Sequence, residues 1–211
     1  AIRGIYERND VAIRKLEGLE ETKGWYAHSV LPKHPESCLT CIVENGISYD
    51  VDVENGQKTG FFLDQKYNRA AIARIAKGKH VLDCFTHTGS FALNAAKGGA
   101  AHVHAVDISQ TAIDMAQHHA DINGLQERMS FETADVFDLL KALKKQPRVY
   151  DMIILDPPAF TKSRETISHA VKGYREINTA AMKLLPRGGY LATCSCSHFM
   201  NEGLFKSMLH E

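Results

Sequence analysis

The pattern of hydrophobic and polar positions divides the chain into two regions. Residues 1 to about 30 mix charged and apolar positions without a clear period, and we expect solvated extended or irregular arms there. Two strand-like runs follow at 38–44 and 47–53, and the second alternates apolar with polar residues. An Asn-Gly pair separates these runs, which predicts an antiparallel hairpin. The front of the chain is therefore expected to hold a small β element.

From residue 64 onward the pattern predicts alternating strands and helices. Residues 64–77 have apolar positions at helical spacing, with Asp64 as the expected N-cap and Gly78 as the stop. Further strands are predicted at 80–85, 102–107, 129–134, 150–155 and 190–196, and further helices near 89–98, 109–122, 136–145 and 170–185 and from 201. His118 and His119 fall on one of these helices and are expected to be exposed. Such alternation predicts an α/β fold, a parallel sheet with helices on both faces.

Composition limits the expected domain number, partners and cellular location of the protein, but it does not decide the function. The 211 residues are 44% hydrophobic and 24% charged, enough for one α/β domain with a small appendage. The net charge of zero argues against binding nucleic acid by bulk charge, but it allows a local basic patch. Short apolar runs and the lack of a signal-peptide pattern predict no membrane partner. Five cysteines, an odd number, favour a reducing, cytoplasmic location.

Three of the predicted strands each deliver an aspartate at or near their carboxyl ends: Asp83, Asp107 and Asp156. Parallel strands present their carboxyl ends at one edge of the sheet, where open α/β sheets bind ligands. The loop after the first strand has only Gly89 where a dinucleotide site needs G-x-G-x-x-G, so a pyrophosphate would fit poorly. A ligand with no phosphate and a cationic sulfonium has no such requirement. The pattern therefore favours S-adenosylmethionine over a dinucleotide.

Each acidic residue has an expected role in such a pocket. Asp83 is expected to face the amino-acid end of the ligand, and Asp107 to accept hydrogen bonds from ribose hydroxyls. Asp135, after the third parallel strand, is suited to the adenine amino group. For any one aspartate alone, a helix cap after a strand is the better explanation. Three in register favour ligand binding.

The segment 156–160, Asp-Pro-Pro-Ala-Phe, is a second signal. Two prolines after a buried strand fix a rigid turn, which can hold a carboxylate and an aromatic ring at the mouth of the crevice. Enzymes that methylate planar nitrogenous bases use such a strand end, although a purely structural turn is the alternative. Basic residues next to the loop are suited to positioning RNA phosphates. The residues expected to contact the substrate are Pro157, Pro158, Phe160, Lys162 and Arg175.

Two cysteines near the end of the last predicted strand are candidate nucleophiles. A thiolate of Cys194 or Cys196 could attack an electrophilic ring carbon, although buried cysteines are more commonly small core hydrophobes. Strand alternation places both on one side, so at most the outer one reaches the crevice. Cys38 and Cys41 are spaced like half of a metal knuckle, but no second pair follows at the required spacing. Strand packing is expected for that pair, and no metal.

Together these motifs resemble the class I S-adenosylmethionine-dependent methyltransferases, and more closely the large-subunit ribosomal RNA cytosine-C5 methyltransferase family. The resemblance covers nearly the whole chain, and its most specific block is Lys-Thr-Gly-Phe-Phe-Leu-Asp-Gln at 58–65. Other matching blocks lie at 5–10, 14–18, 82–89, 156–160, 173–178 and 195–197. The resemblance implies a Rossmann-like class I methyltransferase sheet. It also implies two regions: an N-terminal arm with a small β element at 1–64, and an S-adenosylmethionine-binding domain at 65–211.

The resemblance also implies a reaction and a set of site residues. A cysteine thiolate adds to C6 of an unstacked cytosine in ribosomal RNA, C5 takes the methyl group, and loss of the C5 proton expels the thiolate. Counted from Gly189, Cys196 best matches the nucleophile, with Cys194 as the fallback, and Asp156 contacts the base edge. The cofactor site is expected to comprise Phe61, Gln65, Asp83, Phe85, Thr86, Thr88, Gly89, Asp107, Ile108, Asp135, Val136 and Asp156.

Several departures from the family keep alternatives open. The wider group has a second cysteine where this chain has Ala159, and the family's PUA domain and two closing strands are not expected here. A sheet edge left open in this way invites pairing with a second copy, so a homodimer is one expectation. One alternative is an N-methyltransferase acting on an exocyclic base nitrogen or a small molecule, since Asp-Pro-Pro-Ala-Phe is close to the turn of such enzymes. Another is a non-catalytic RNA-binding or assembly module.

Overall fold

The computed structural model describes residues 2–29, 34–147, 149–161 and 163–211. The chain divides into two compact units, Ala1–Lys66 and Tyr67–Glu211. Each unit has its own secondary structure. No helix within the described ranges is both long and apolar enough to cross a membrane.

The first unit begins with a short antiparallel pair where irregular arms were predicted. Strands β1 (Tyr6–Asn9) and β2 (Thr22–Trp25) pair on either side of a single helical turn, α1 (Ile13–Leu16). Tyr6 and Trp25 are direct partners, and their rings meet edge to face with centroids 5.1 Å apart. The prediction of arms was wrong because strands of four residues are too short to show a visible alternation.

The predicted hairpin is confirmed. Strands β3 (Leu39–Glu44) and β4 (Ile47–Asp52) pair antiparallel across the Asn-Gly turn. Asn45 and Gly46 have φ of 53° and 73°, the left-handed values that a two-residue hairpin turn requires. Alternate residues of β4 are buried, namely Ile47, Tyr49 and Val51. The period-2 pattern read from the sequence therefore reflects one buried face.

The helix predicted from Asp64 begins later than expected. A 3-10 turn at Leu63–Gln65 precedes the helix α2 (Lys66–Ile75). Asp64 lies inside that turn, and the N-cap position is Phe62, whose side chain makes no capping bond. The prediction that Asp64 caps the helix was therefore wrong. Tightening of the first turn into a 3-10 geometry moves Asp64 past the cap position. Gly78, with φ of 72°, lies beyond the helix end as expected.

The second unit contains the predicted α/β fold. Within the described residues its sheet has five parallel strands in the order β7-β6-β5-β8-β9. The strands are β5 (His80–Cys84), β6 (His102–Asp107), β7 (Met129–Thr133), β8 (Met152–Leu155) and β9 (Tyr190–Thr193). The helices are α3 (Ser90–Lys97), α4 (Gln110–Ile122), α5 (Val136–Leu143), α6 (Ile167–Leu184) and α7 (Glu202–His210). The Rossmann-like alternation read from the sequence is confirmed.

The strand order reverses at β5. This strand pairs with β6 on one side and with β8 on the other, and Cys84 is level with both Val106 and Leu155. In open α/β sheets such a reversal leaves a crevice outside the carboxyl ends of the strands. The residues that follow these three strands therefore lie at the same edge.

The last strand is shorter than predicted. β8 ends at Leu155, and the two prolines that follow Asp156 have no N–H to continue a ladder. The amide of Cys194 still donates to Leu155 O at 2.8 Å, but β9 ends at Thr193. Cys194 and Cys196 therefore lie on the loop after the strand, and the alternation argument that placed them on one strand face was wrong. Cys194 is partly buried and Cys196 is exposed.

The end of α3 packs closely on α2 through Gly98. A Cβ atom at Gly98 would lie 2.2 Å from Ala73 O and 2.7 Å from Ala73 Cα. These are main-chain atoms, which cannot yield as the end of a flexible side chain can. Glycine is therefore required here by the close approach of two helices.

We expect Gly98→Ala to lower the free energy of unfolding by about 1–3 kcal/mol, the usual cost of overpacking a close contact. Gly203→Ala is the matched control, because at Gly203 in α7 the nearest atom to an added Cβ is Asn201 Oδ1 at 3.5 Å. The control should be neutral or slightly stabilising. Urea unfolding of the chain measures both, and equal loss in the two variants would contradict the packing argument.

Candidate active site

Asp83 is the buried centre of the strand-end cluster. One carboxylate oxygen, Oδ2, accepts hydrogen bonds from Thr86 Oγ1 at 2.6 Å and from the amide of Ala92 at 3.0 Å. The other, Oδ1, is buried and has no hydrogen-bond partner among the described residues. Burial raises the pKa of Asp83 to about 7, and the charges of Asp156 and Asp107 act in the same direction.

The three strand-end carboxylates form one electrostatic group. Asp107 and Asp156 both raise the pKa of Asp83, so their charges reach it through the protein. Such a group disfavours an anionic ligand and favours a cationic one. S-adenosylmethionine has a sulfonium and an ammonium, and the unpaired Oδ1 of Asp83 is a buried acceptor at this edge. The residues present therefore fit this cofactor.

The loop after β5 is held in a costly conformation. Phe85 and His87 have φ of 62° and 50°, left-handed values that cost a non-glycine residue about 1–3 kcal/mol each. The amide of Thr86 donates to Val106 O at 2.9 Å, and the amide of His87 donates to Asp107 Oδ2 at 2.9 Å. These bonds tie the loop to the end of β6. Strain maintained in this way is typical of ligand-binding loops.

Helix α4 packs against the same loop. A Cβ atom at Gly89, where φ is 83°, would lie 2.9 Å from Ala116 Cβ, so glycine permits this close packing. His119 Nδ1 lies 3.0 Å from Thr88 O. His119 is only 1% exposed, so the expectation that it is exposed was wrong, whereas its neighbour His118 is exposed. Ala116 and His119 are three residues apart and share the inner face of the helix.

The end of β6 combines a carboxylate with an exposed apolar side chain. Asp107 Oδ1 accepts from the amide of Ser109 at 3.0 Å, while its Oδ2 accepts from the loop after β5. Ile108, the next residue, is 70% exposed. A hydrogen-bonding carboxylate beside an exposed apolar surface is suited to a nucleoside, because a ribose has hydroxyl donors and a purine has an apolar face.

The other predicted cofactor residues are less informative. Asp135 is exposed and caps α5, accepting from the amides of Phe137 at 2.8 Å and Asp138 at 3.2 Å, so a helix-cap role is present at this position. Val136 is buried in the core at 3% exposure. Phe61 and Gln65 belong to the first unit. The cofactor roles of these four residues remain predictions.

The loop after β8 is anchored by its aromatic residue. Asp156 is partly buried, Pro157 is buried and Pro158 is exposed. The ring of Phe160 packs against Tyr174, with centroids 4.6 Å apart, so one side of the ring is used for packing. The Sγ atom of Cys196 lies 3.7 Å from Pro157 O. The structure therefore brings the outer cysteine against this loop.

Two basic residues were predicted to contact the substrate. Lys162 lies outside the described residues. Arg175 is exposed on α6 and forms an ion pair with Glu211. Exposed ion pairs contribute little to stability, so this pair is easily exchanged for another anion.

Sequence reasoning missed a buried hydroxyl cluster behind the cysteine. Tyr174 is fully buried, and its hydroxyl contacts the side chains of Ser195 and Ser197. The only signal in the sequence was its place in the block 173–178 that resembles the methyltransferase family. Helical periodicity marks such a tyrosine as a core residue and gives no indication of what its hydroxyl meets.

Comparison with known proteins identifies the family. The family profile described as S-adenosylmethionine-dependent methyltransferase matches residues 27–205. This chain belongs to the S-adenosylmethionine-dependent methyltransferase family. The resemblance inferred from the sequence is confirmed at this level, and S-adenosylmethionine is the cofactor of the family.

Similar proteins agree with this assignment. The chain is 46% identical over 206 residues to ribosomal RNA large subunit methyltransferase I of Aeromonas salmonicida, and 47% identical to the protein of that name from Shewanella amazonensis. Each match covers 97% of this chain, which spans about half, 51%, of the length of these relatives. The crystal structure of SMU.776 complexed with SAH is similar at 31% identity and a TM-score of 0.75. That match covers 87% of this chain and 48% of the other.

The raised pKa of Asp83 predicts an unusual dependence of stability on pH. An unfolded aspartate has a pKa of about 3.9, whereas the folded-state pKa of Asp83 is about 7. Between these values the folded state retains a proton that the unfolded state has lost. The contribution of this group to stability therefore falls as pH rises from about 4 to about 7, and then levels off.

Asp83→Asn removes this titration, so the stability of the variant relative to the wild type should rise across that window by roughly 2–4 kcal/mol, at about 1.4 kcal/mol per pH unit. The readout is the slope with pH, because the amide also introduces a pH-independent buried donor. Urea unfolding at several pH values measures it. Asp121→Asn, at an exposed position on α4, is the control. Parallel pH profiles for Asp83→Asn and the wild type would contradict the buried-carboxyl argument.

Proposed function

We propose that this chain transfers a methyl group from S-adenosylmethionine to C5 of a cytosine in large-subunit ribosomal RNA. The observation that carries the proposal is the position of Cys196. Its exposed Sγ lies 3.7 Å from Pro157 O, at the loop after β8 and at the cofactor edge of the sheet. The names of the similar proteins from Aeromonas and Shewanella support ribosomal RNA as the substrate.

The cofactor is proposed to lie across the ends of β5 and β6. When bound, it supplies an electrophilic methyl group on a cationic sulfonium. Asp83 offers the unpaired Oδ1 as a buried acceptor for the amino-acid end. Asp107 keeps capacity for ribose hydroxyls beyond the two amides it already accepts, because a carboxylate has about four lone-pair sites. The exposed side chain of Ile108 offers an apolar surface to the purine.

The base chemistry is assigned to the loops after β8 and β9. The thiolate of Cys196 adds to C6 of the cytosine, which makes C5 nucleophilic. C5 takes the methyl group as S-adenosylhomocysteine leaves, and transfer of the C5 proton to solvent then restores the ring and expels the thiolate. Asp156 is proposed to contact the polar edge of the base and to support charge at N3. Since the chain has Ala159 where the wider group has a second cysteine, no separate release thiol is assigned.

The RNA is proposed to approach over the exposed side of the loop after β8. The exposed Pro158, beside the partly buried ring of Phe160, is proposed to give a surface for an unstacked base. Arg175 is placed to contact phosphate, provided that it leaves its ion pair with Glu211. With zero net charge, specific local contacts have to provide the binding that bulk charge does not.

Cys196→Ala is expected to abolish formation of 5-methylcytosine on an unmodified transcript of large-subunit ribosomal RNA. Its affinity for S-adenosylhomocysteine should stay within about twofold of the wild type, because the thiol makes no proposed cofactor contact. Cys194→Ala, at the partly buried cysteine, is the matched control and should retain turnover. Mass spectrometry of digested RNA gives the amount and position of the methyl group, and calorimetry gives the affinity.

The other outcomes separate the alternative functions. Continued turnover by Cys196→Ala with the methyl group on an exocyclic nitrogen would replace the proposal with the N-methyltransferase alternative. Failure of the wild-type chain to bind S-adenosylhomocysteine would favour the non-catalytic module instead. Loss of turnover in Cys194→Ala alone would move the nucleophile to Cys194.

Asp107→Asn is expected to weaken S-adenosylhomocysteine binding about 10- to 100-fold, the value of one or more hydrogen bonds to a charged group. Asp114→Asn is the control, because Asp114 is an exposed aspartate on α4 that contacts Gln110. Calorimetric titration measures both affinities. Equal affinities in the two variants would remove Asp107 from the cofactor site.

A further inference from the structure

The buried hydroxyl of Tyr174 links the two loops that the proposed chemistry needs. We name residues 156–161 the proline loop and residues 194–197 the cysteine loop. We infer that Tyr174 is a positioning residue: through Ser195 and Ser197, its hydroxyl holds Cys196 against the proline loop. The inference rests on the proposed role of Cys196 and extends it to a residue of α6 that touches neither base nor cofactor.

The hydrogen bonds form one connected group. The Oγ atom of Ser195 donates to Tyr174 Oη at 3.0 Å, and Tyr174 Oη lies 2.9 Å from Ser197 Oγ. Ser197 Oγ also accepts from the amide of Phe160 at 3.1 Å, with the amide of Thr161 more distant at 3.5 Å. The Tyr174 hydroxyl therefore reaches the main chain of the proline loop through a single serine.

Cys196 lies between the two serines that contact Tyr174. Ser197 is 4% exposed and Ser195 is partly buried, whereas Cys196 is exposed. Because the residues on both sides of Cys196 are hydrogen-bonded to Tyr174, the main chain at Cys196, and with it the starting point of its side chain, is restrained. The thiol contacts Pro157 O at the opposite end of the proline loop from Phe160. The same loop is thus held at two points.

The ring of Tyr174 is packed independently of its hydroxyl. It contacts the ring of Phe160 with centroids 4.6 Å apart and that of Phe205 edge to face at 5.6 Å. A Cβ atom at Gly173 would lie 3.2 Å from Phe160 Cδ2, so the glycine allows the proline loop to approach α6 closely. Tyr174→Phe can therefore remove the hydrogen bonds and leave the packing in place.

A residue that positions the nucleophile is expected to affect kcat more than it affects substrate or cofactor binding. The geometry of nucleophile and base matters most in the transition state, where misplacement by about 1 Å can cost about 100-fold in rate. Within the described part of the chain, the hydroxyl of Tyr174 bonds to Ser195 and Ser197 and not to the proposed cofactor residues Asp83 and Asp107. Loss of the Tyr174 hydroxyl should therefore lower kcat and leave KM for RNA and the affinity for S-adenosylhomocysteine nearly unchanged.

The first test needs no activity. Amide hydrogen exchange of the full 211-residue chain, read by mass spectrometry, compares wild type, Tyr174→Phe and Tyr150→Phe. Tyr150 is the matched control, since its hydroxyl bonds to His104 and is not part of the serine group. Peptides covering the two loops should exchange at least about fivefold faster in Tyr174→Phe only, because local opening then breaks fewer hydrogen bonds. Unchanged exchange in both loops would overturn the inference.

The second test measures turnover on unmodified large-subunit ribosomal RNA. Tyr174→Phe should lower kcat about 10- to 100-fold with KM and cofactor affinity within about threefold, and Ser197→Ala should do the same. The double variant should lose little more than either single one, because both act through one group. Wild-type kcat in Tyr174→Phe, or a loss confined to KM or cofactor affinity, would overturn the inference.

The two proposals fail in different ways. If Cys196→Ala keeps full turnover, the nucleophile assignment is wrong, and loop exchange in Tyr174→Phe still decides whether Tyr174 holds the loops. If Cys196→Ala is inactive and Tyr174→Phe has wild-type kcat, the proposed function stands and the positioning role is wrong.

Discussion

Parallel pairing of β5 with both β6 and β8 imposes the main constraint on this protein. Level register brings the ends of the three strands to one edge, and an aspartate lies within one residue of each end. Three carboxylates near one another repel, and one of them, Asp83, is fully buried. The fold therefore creates an electrostatic arrangement that a cationic ligand relieves. The preference of this edge for a cationic ligand therefore follows from the strand order together with the three aspartate side chains.

The same topology determines where Cys196, the proposed nucleophile, lies. The prolines after Asp156 stop β8 from pairing further, and β9 ends with it. The segments after β8 and β9 then leave the sheet as loops. These loops remain adjacent because the two strands are adjacent. Ser197 bridges these loops through the amide of Phe160. Because the two prolines cannot donate the hydrogen bonds that would extend β8, the pairing with β9 stops as well. Cys196, which the sequence predicted inside the last strand, therefore lies on an exposed loop.

Much of the second unit could be predicted from the sequence because its central strands β5 and β8 are almost wholly buried and therefore read as largely apolar runs. Segments such as 152–155 and 102–107 read as strands without any knowledge of their neighbours. The hairpin at Asn45 was equally clear, since Asn-Gly is the pair of residues that most readily adopts the two left-handed conformations of a tight hairpin turn. By contrast β1 and β2, at four residues each, were missed. Their pairing depends on contacts between residues distant in sequence.

The candidate site also has some features that could be read from the local sequence and others that depend on residues distant in the chain. Strand-end aspartates could be found because their positions depend on local pattern, but whether Asp135 serves mainly as a helix cap depends on two amides of the following turn. The burial of His119 depends on a carbonyl 31 residues earlier in the chain. The Tyr174 hydroxyl meets partners 21 and 23 residues away. Spacing alone contains no information about such pairings.

The proposed cofactor half and the proposed substrate half of the site therefore depend on different features of the sequence. The half built on β5 and β6 uses main-chain amides and carboxylates at strand ends, features that any sequence with this topology can reproduce. The half built on the loops after β8 and β9 depends on Cys196, the two prolines and the serines that flank the thiol. Since the fold is shared by many methyl transfers, the choice of target atom has to reside in these loops. The hydrogen bonds of Tyr174 to Ser195 and Ser197 connect these loops to α6, and on this basis we infer that a buried residue influences the position of the thiol.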